Sequence, residues 1–164
     1  MNDFRPVLYV IGVLLSLTSV SMILPMIIDL INNNHDWQIF LFTSILTFII
    51  GFILIISFNN PVKKISLKQA FLLTTLSWLS ISLFSSIPFI YAETQLSFTN
   101  AFFESISGVT TTGATVISGL DNLPKGILLW RSLLQWFGGI GIIVLALSIL
   151  PMLQVGGMQL FHLE

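Results

Sequence analysis

Apolar residues run along this chain in stretches long enough to cross a bilayer, separated by short polar punctuation. A membrane-spanning helix needs about 20 residues to cross a hydrocarbon core of about 30 Å. The first such stretch runs from about Pro6 to Ile31, with Pro25 placed to kink its far end, and Asn32-Asn33-Asn34-His35-Asp36 closes it. The second spans Trp37 to Phe58, its aromatic start suited to the membrane interface, and Asn59-Asn60-Pro61-Val62-Lys63-Lys64 turns the chain. Ser66-Leu67-Lys68-Gln69 has the S-x-x-Q spacing of a capping box and opens a third helix, which reaches about Tyr91 with Pro88 near its end. Its hydroxyls at Thr74, Thr75, Ser77, Ser80, Ser82, Ser85 and Ser86 predict close packing and hydrogen bonds across helix contacts, so this helix is expected to face protein more than lipid.

The pattern then changes. Phe98 to Val109 is amphipathic and, at 1.5 Å per residue, about 18 Å long, little over half the membrane. Thr110-Thr111-Thr112-Gly113-Ala114-Thr115 follows it directly. A polar, non-helical stretch at membrane depth is tolerated only where protein buries it or water lines it, so the pair predicts a re-entrant half-helix and pore loop. Ile117 to Asn122 reads as a loop, and Pro124 suits the first turn of a last helix that runs to about Leu153. Gly138, Gly139 and Gly141 predict a smooth face for close helix packing, while Pro151 and Gly156-Gly157 mark the helix end. The order is an N-terminal two-helix hairpin over residues 1–60, then a helix–pore-loop–helix unit over 61–164, an all-α membrane fold.

Composition agrees. The chain is 55% hydrophobic and only 8% charged, against about 25% charged residues in soluble domains. A net charge of -1 and the lack of a basic cluster argue against nucleic-acid binding, and without cysteine there is no disulfide, thiolate metal site or cysteine nucleophile. The N-terminal apolar stretch is longer than the roughly 7–15 residues of a signal-peptide core and is read as a retained membrane helix. Arg5, Lys63, Lys64 and Lys68 fall on one side and Lys125 and Arg131 on or near the other. By the positive-inside rule the N-terminus is cytoplasmic and the pore loop opens to the outside.

The loop has the chemistry of a cation path. A dehydrated monovalent cation needs several oxygen dipoles, which the successive carbonyls of an extended loop supply when several loops surround one axis. Gly113 reaches positive φ without a Cβ clash, and Thr110, Thr111 and Thr112 are small enough for close approach. The loop holds no carboxylate of the kind that favours divalent ions. The half-helix ends near Ser107-Gly108, where unpaired carbonyls carry about half a negative charge towards the cavity. Glu104 either steers cations or braces the loop by hydrogen bonding to its backbone. Bracing is the stronger reading, with Arg131 as its expected partner. His35 and His162 stand alone and are read as interfacial, and Trp37, Trp78, Trp130 and Trp136 as interface anchors and packing residues. The spans carry no Ser–His pair, Asp pair or His-Glu cluster of the kind an intramembrane enzyme needs.

Phe103-Glu104-Ser105-Ile106-Ser107-Gly108 followed by Thr110–Thr115 resembles the first pore segment of the Trk/Ktr/HKT potassium transporters. Leu123-Pro124-Lys125-Gly126 through Trp130-Arg131-Ser132, and Gln135-Trp136-Phe137-Gly138-Gly139-Ile140-Gly141, resemble the helix that follows it in that family. The two leading helices point to its bacterial Trk branch. The resemblance covers essentially the whole chain and is most specific from Ala101 to Glu164. It implies a potassium-channel-like fold of four non-identical helix–pore-loop–helix repeats in the bacterial cytoplasmic membrane. The transported potassium ion would be held by the filter backbone, here Thr110, Thr111, Thr112 and Gly113, with Thr111 and Thr112 foremost. Glu104, Thr115 and Arg131 would support that filter. It also implies a cytoplasmic nucleotide-binding regulatory subunit, a homodimer and no organic cofactor. This sequence contains one repeat. The three others are therefore expected as partners, and the alternative is a non-conducting fragment or membrane scaffold.

Overall fold

The computed structural model describes residues 4–59 and 66–157, with side chains over the same stretches except at residue 67 and beyond residue 144. The turn holding Lys63 and Lys64, and His162, lie outside the described residues. The described elements are all helical: α1 (Arg5–Ser21), α2 (Ile23–Ile31), α3 (Trp37–Ser57), α4 (Leu67–Ser85), α5 (Ile87–Tyr91), α6 (Phe98–Val109), a 3₁₀ turn (Leu120–Asn122) and α7 (Lys125–Gly157). Among the described residues, four helical segments are long and apolar enough to cross a membrane: Arg5–Ile31, Trp37–Ser57, Lys68–Tyr91 and Lys125–Val144.

Two prolines divide the first and third spans. Pro25 cannot donate to Ser21, four residues back, and its ring crowds that carbonyl; α1 ends at Ser21. Pro88 stands in the same relation to Phe84, and α4 gives way to α5 after Ser85. By contrast α7 continues through Pro151 to Gly157, past the expected end near Leu153. The capping box of α4 is complete, with Gln69 N–H donating to Ser66 Oγ at 3.3 Å and Ser66 N–H to Gln69 Oε1 at 2.9 Å.

α1 lies along α3, and both meet at glycines. A Cβ on Gly12 would press on the Gly51 carbonyl at 2.8 Å, and one on Gly51 would meet Ser16 Oγ at 2.6 Å. α2 packs on α3 and α7, and α6 is held between α4 and α7. The main core comprises Met22, Phe40, Phe89, Ala92, Ala101, Val109, Ile127, Trp130 and Leu134, with Ala101 and Val109 contributed by α6. Trp130 is fully buried, donates its indole N–H to Ser85 O at 3.1 Å and meets Phe40 edge-on at 6.3 Å. A smaller cluster of Val7, Ile11 and Leu15 holds the other half of α1.

The hydroxyls of α4 do not act as the sequence suggested. Thr74, Thr75 and Ser86 bond to carbonyls of their own helix, the nearest acceptors, while buried Ser77, Ser82 and Ser85 have no side-chain partner among the described residues. Phe71, Leu72, Leu76, Leu79 and Leu83 leave much of α4 exposed, so within this chain it does not face protein more than lipid.

Candidate functional site

α6 is capped by Ser97, whose hydroxyl accepts from Asn100 N–H at 3.4 Å, and it buries Ala101, Glu104, Ser105, Gly108 and Val109 on one side. Its end sets the shape of the loop. Thr111 N–H donates to Gly108 O at 2.9 Å and Thr112 N–H to Ser107 O at 3.0 Å, with Thr111 at φ +60°. These are the two bonds of a Schellman motif, whose left-handed position glycine normally fills. A β-branched threonine there is strained. Gly113, the position expected to need positive φ, adopts φ +74° and adds an N–H to Ser107 O at 3.3 Å. The carbonyls of Ile106, Ser107 and Gly108 are therefore occupied by the amides of residues 110–113, and near Ser107-Gly108 they are not the unpaired carbonyls the sequence suggested.

Beyond this closure the oxygens are free. The carbonyls of Thr110, Thr111, Thr112 and Gly113 accept no hydrogen bond among the described residues, and Thr111 to Val116 are exposed. Ala114 O is the first to turn back, accepting from Ser107 Oγ at 2.7 Å. The hydroxyls of Thr110 and Thr112 lie 2.8 Å apart and link alternate residues of the loop.

Glu104, 3% exposed, receives the far end of the loop. Its Oε1 accepts from Thr115 Oγ1 at 2.5 Å and from Val116 N–H at 2.6 Å. Arg131 donates to Thr115 Oγ1 at 2.9 Å and lies 3.2 Å from Glu104 Oε2 as an ion pair. Thr115 Oγ1 also accepts from Ile117 N–H at 3.0 Å. The structure thus brings Glu104, Thr115 and Arg131 together at one end of the loop and leaves Thr110–Gly113 along its exposed edge.

α7 follows the loop in the opposite direction. Arg131 meets Thr115, and Gln135, one turn on, places Nε2 3.7 Å from where a Cβ on Gly113 would lie. Gly138 then rests against the Val109 carbonyl, with no room for a side chain. In the sequence Gln135 figures only as part of the segment resembling the following helix and is given no role, although its spacing from Arg131 places the two on one face. Of the three glycines expected to pack, Gly138 alone does so among the described residues, where Gly139 and Gly141 have nothing within 4 Å of a built Cβ.

A second polar group ties the helix ends together. Glu93 N–H donates to Asp36 Oδ2 at 3.2 Å, Asn34 Nδ2 donates to Glu93 Oε1 at 3.1 Å, and Asp36 N–H donates to Asn34 Oδ1 at 2.7 Å. Burial pushes the Asp36 carboxyl above the usual carboxylate range, opposed by its bond from Glu93 N–H and reinforced by the Glu93 charge. His35 beside it is exposed, and no group of three metal-ligating side chains occurs among the described residues.

Residues 36–164 match the family model of TrkH, described as a cation transport protein. The chain is 44% identical over 167 residues to the Trk system potassium uptake protein TrkI of Halomonas elongata, covering 100% of this chain and 33% of that protein. It is 44% identical over 162 residues to the Trk system potassium uptake protein TrkH of Salmonella typhimurium, covering 98% of this chain and 34% of that one. The crystal structure of the potassium transporter TrkH from Vibrio parahaemolyticus superposes with a TM-score of 0.86 at 42% identity, covering 94% of this chain and 33% of that one. The chain thus spans about a third of the length of the relatives it matches.

Proposed function

The chain belongs to the TrkH family of cation transport proteins, and from that membership we propose that it supplies one pore segment of a potassium uptake system. The observation that carries the reading is the run of four consecutive carbonyls, Thr110 to Gly113, which accept no hydrogen bond among the described residues and border an exposed edge. Such oxygens can replace the hydration shell of a monovalent cation. In this reading potassium is held by the backbone of Thr110, Thr111, Thr112 and Gly113, with Thr111 and Thr112 central. Glu104, Thr115 and Arg131 hold the strand in place from behind. The membrane potential contributes about 2.3 kcal/mol per charge for each 100 mV, enough to draw the ion inward.

A single loop makes one side of a coordination ring. The reading therefore requires three further pore segments, and it places the N-terminus in the cytoplasm and the loop towards the outside of the bacterial inner membrane. A cytoplasmic nucleotide-binding subunit and a second copy of the transporter are the further partners it expects. The exposure of Thr111 to Val116 favours a second reading for this chain taken alone, a non-conducting membrane segment that awaits its partners.

Rubidium uptake tests the proposal. Cells lacking potassium uptake are given the intact gene, and influx is compared with that of Gly113→Asp and Glu104→Leu variants present at equal membrane levels. The proposal expects uptake with the natural loop and its loss in both variants. Uptake indifferent to both substitutions would remove the loop from the ion path. Reconstitution of residues 1–164 in liposomes separates the readings for the isolated chain: flux supports conduction by copies of it, and silence the non-conducting segment.

A further inference from the structure

The first turn of a helix leaves N–H groups without partners in its own backbone. α7 meets this need through a residue far away in sequence. Gly126 N–H donates to Asp29 Oδ1 at 2.8 Å, and Asp29, on α2, is 0% exposed. Gly126 has no side chain for a spatial reason, since a Cβ built on it would fall within the Asp29 carboxyl group. The fit is between a buried carboxyl of the N-terminal hairpin and the start of the helix that borders the loop. The same hairpin holds the segment before α6 through Asp36 and Asn34, both bonded to Glu93.

Distance along α7 makes this consequential. Gly126 and Arg131 are five residues apart, about 7.5 Å along the axis. Arg131 in turn donates to Thr115 Oγ1, and Thr115 and Val116 N–H both bond Glu104. An axial shift or tilt of the start of α7 would move Arg131 against the far end of the loop. We propose that Asp29 is a positioning residue for the loop: it sets the seat of α7, and through Arg131 the geometry of Thr115 and Val116. The hairpin then acts as the outer clamp of the pore unit as well as a membrane anchor. This role rests on the reading of Thr110–Gly113 as an ion filter, while its structural step does not.

Amide hydrogen exchange in the intact protein, as its gene encodes it and purified in lipid nanodiscs, separates the two. Asp29→Ala should speed exchange at residues 126–131 by about tenfold, the loss of one buried hydrogen bond, and should speed exchange at Val116 as well. Asp29→Asn, which keeps an Oδ1 acceptor, should restore both sites towards the wild-type rate. Acceleration confined to residues 126–131 would reduce Asp29 to a local cap and overturn the proposal, as would an unchanged rate at both sites. If the alanine variant does not insert, Gly126→Ala displaces Asp29 from the other side, and the same paired response is required. Potassium added to the wild type tests the filter reading on its own. Slowed exchange at residues 111–113 supports that reading, and its absence counts against it while leaving the Asp29 result standing.

Discussion

Gly138 on α7 stands directly against the carbonyl oxygen of Val109, the last residue of α6, at a separation that no Cβ could enter. The half-helix and the helix beside it touch backbone to side-chain-free backbone at the base of the loop. Gly138→Ala should therefore force α6 and α7 apart and destabilise the protein by about 1–3 kcal/mol, as overpacking does. Gly139→Ala, next in sequence with open space around it, should be neutral or stabilise by up to about 1 kcal/mol through helix propensity. Thermal unfolding of the two variants in detergent checks the contrast, and equal effects would contradict the contact.

Thr111 carries the left-handed turn that a glycine usually fills. Thr111→Gly should relieve roughly 1 kcal/mol of backbone strain and raise the unfolding temperature. If the strain serves ion coordination, rubidium uptake should fall in the same variant. A lower unfolding temperature would show that the threonine side chain outweighs the backbone strain.

Gly113 is the reverse case. Its φ of +74° opposes any side chain, yet the nearest atom to a built Cβ is Gln135 Nε2 at 3.7 Å, an ordinary contact. Gly113→Ala should cost about 1–2 kcal/mol from backbone conformation alone. Because space is available, replacing Gln135 as well should recover little of the loss. Recovery of most of it in a Gly113→Ala, Gln135→Ala double variant would show that crowding was the cause.

Glu104 combines two hydrogen bonds and one ion pair on a nearly inaccessible carboxylate. Glu104→Gln keeps an acceptor for Thr115 and Val116 and loses the charge facing Arg131. Glu104→Leu loses all three. The leucine variant should lose about 3–5 kcal/mol, the cost of leaving one buried partner of a pair uncompensated, and the glutamine variant distinctly less. Unfolding measured with a monovalent-ion uptake assay orders the three proteins, and an inverted order would remove the brace.

Asp36 supplies a pH signature outside the spans. Its folded pKa is raised above the unfolded value by burial, so the folded state holds its proton more tightly. Stability from this group is fully present below the ordinary carboxylate pKa and is lost as pH rises through the raised one. Asp36→Asn, which can still accept from Glu93 N–H, should flatten that part of the stability–pH curve. A slope unchanged in the variant would assign the effect to another carboxyl.

Much of this was legible along the chain because lipid imposes simple rules. Helix lengths follow from bilayer thickness, Pro25 and Pro88 break helices where their missing N–H requires it, and Ser66 with Gln69 announces the start of α4. The short α6 and the Thr-Gly loop stood out against an ordinary loop because a helix too short to span and full-length apolar spans flank that polar stretch on both sides. What misled was local chemistry with more than one outlet. Thr74 and Thr75 of α4 turned to their own helix, and Gly139 and Gly141 met no neighbour among the described residues.

The sequence by itself determined the membrane class, the spans, the half-helix and the polar loop, since each depends on residues adjacent in the chain and on the solvent around them. Only the tertiary structure decided that Thr111 joins Gly113 at positive φ, that Gly138 and not Gly139 or Gly141 makes a close contact among the described residues, and that Asp29 seats the start of α7. The physical reason is range. Hydropathy and helix period act over a few residues, whereas a bond joining positions 29 and 126 arises only when packing brings two distant helix ends together, and no local pattern encodes it.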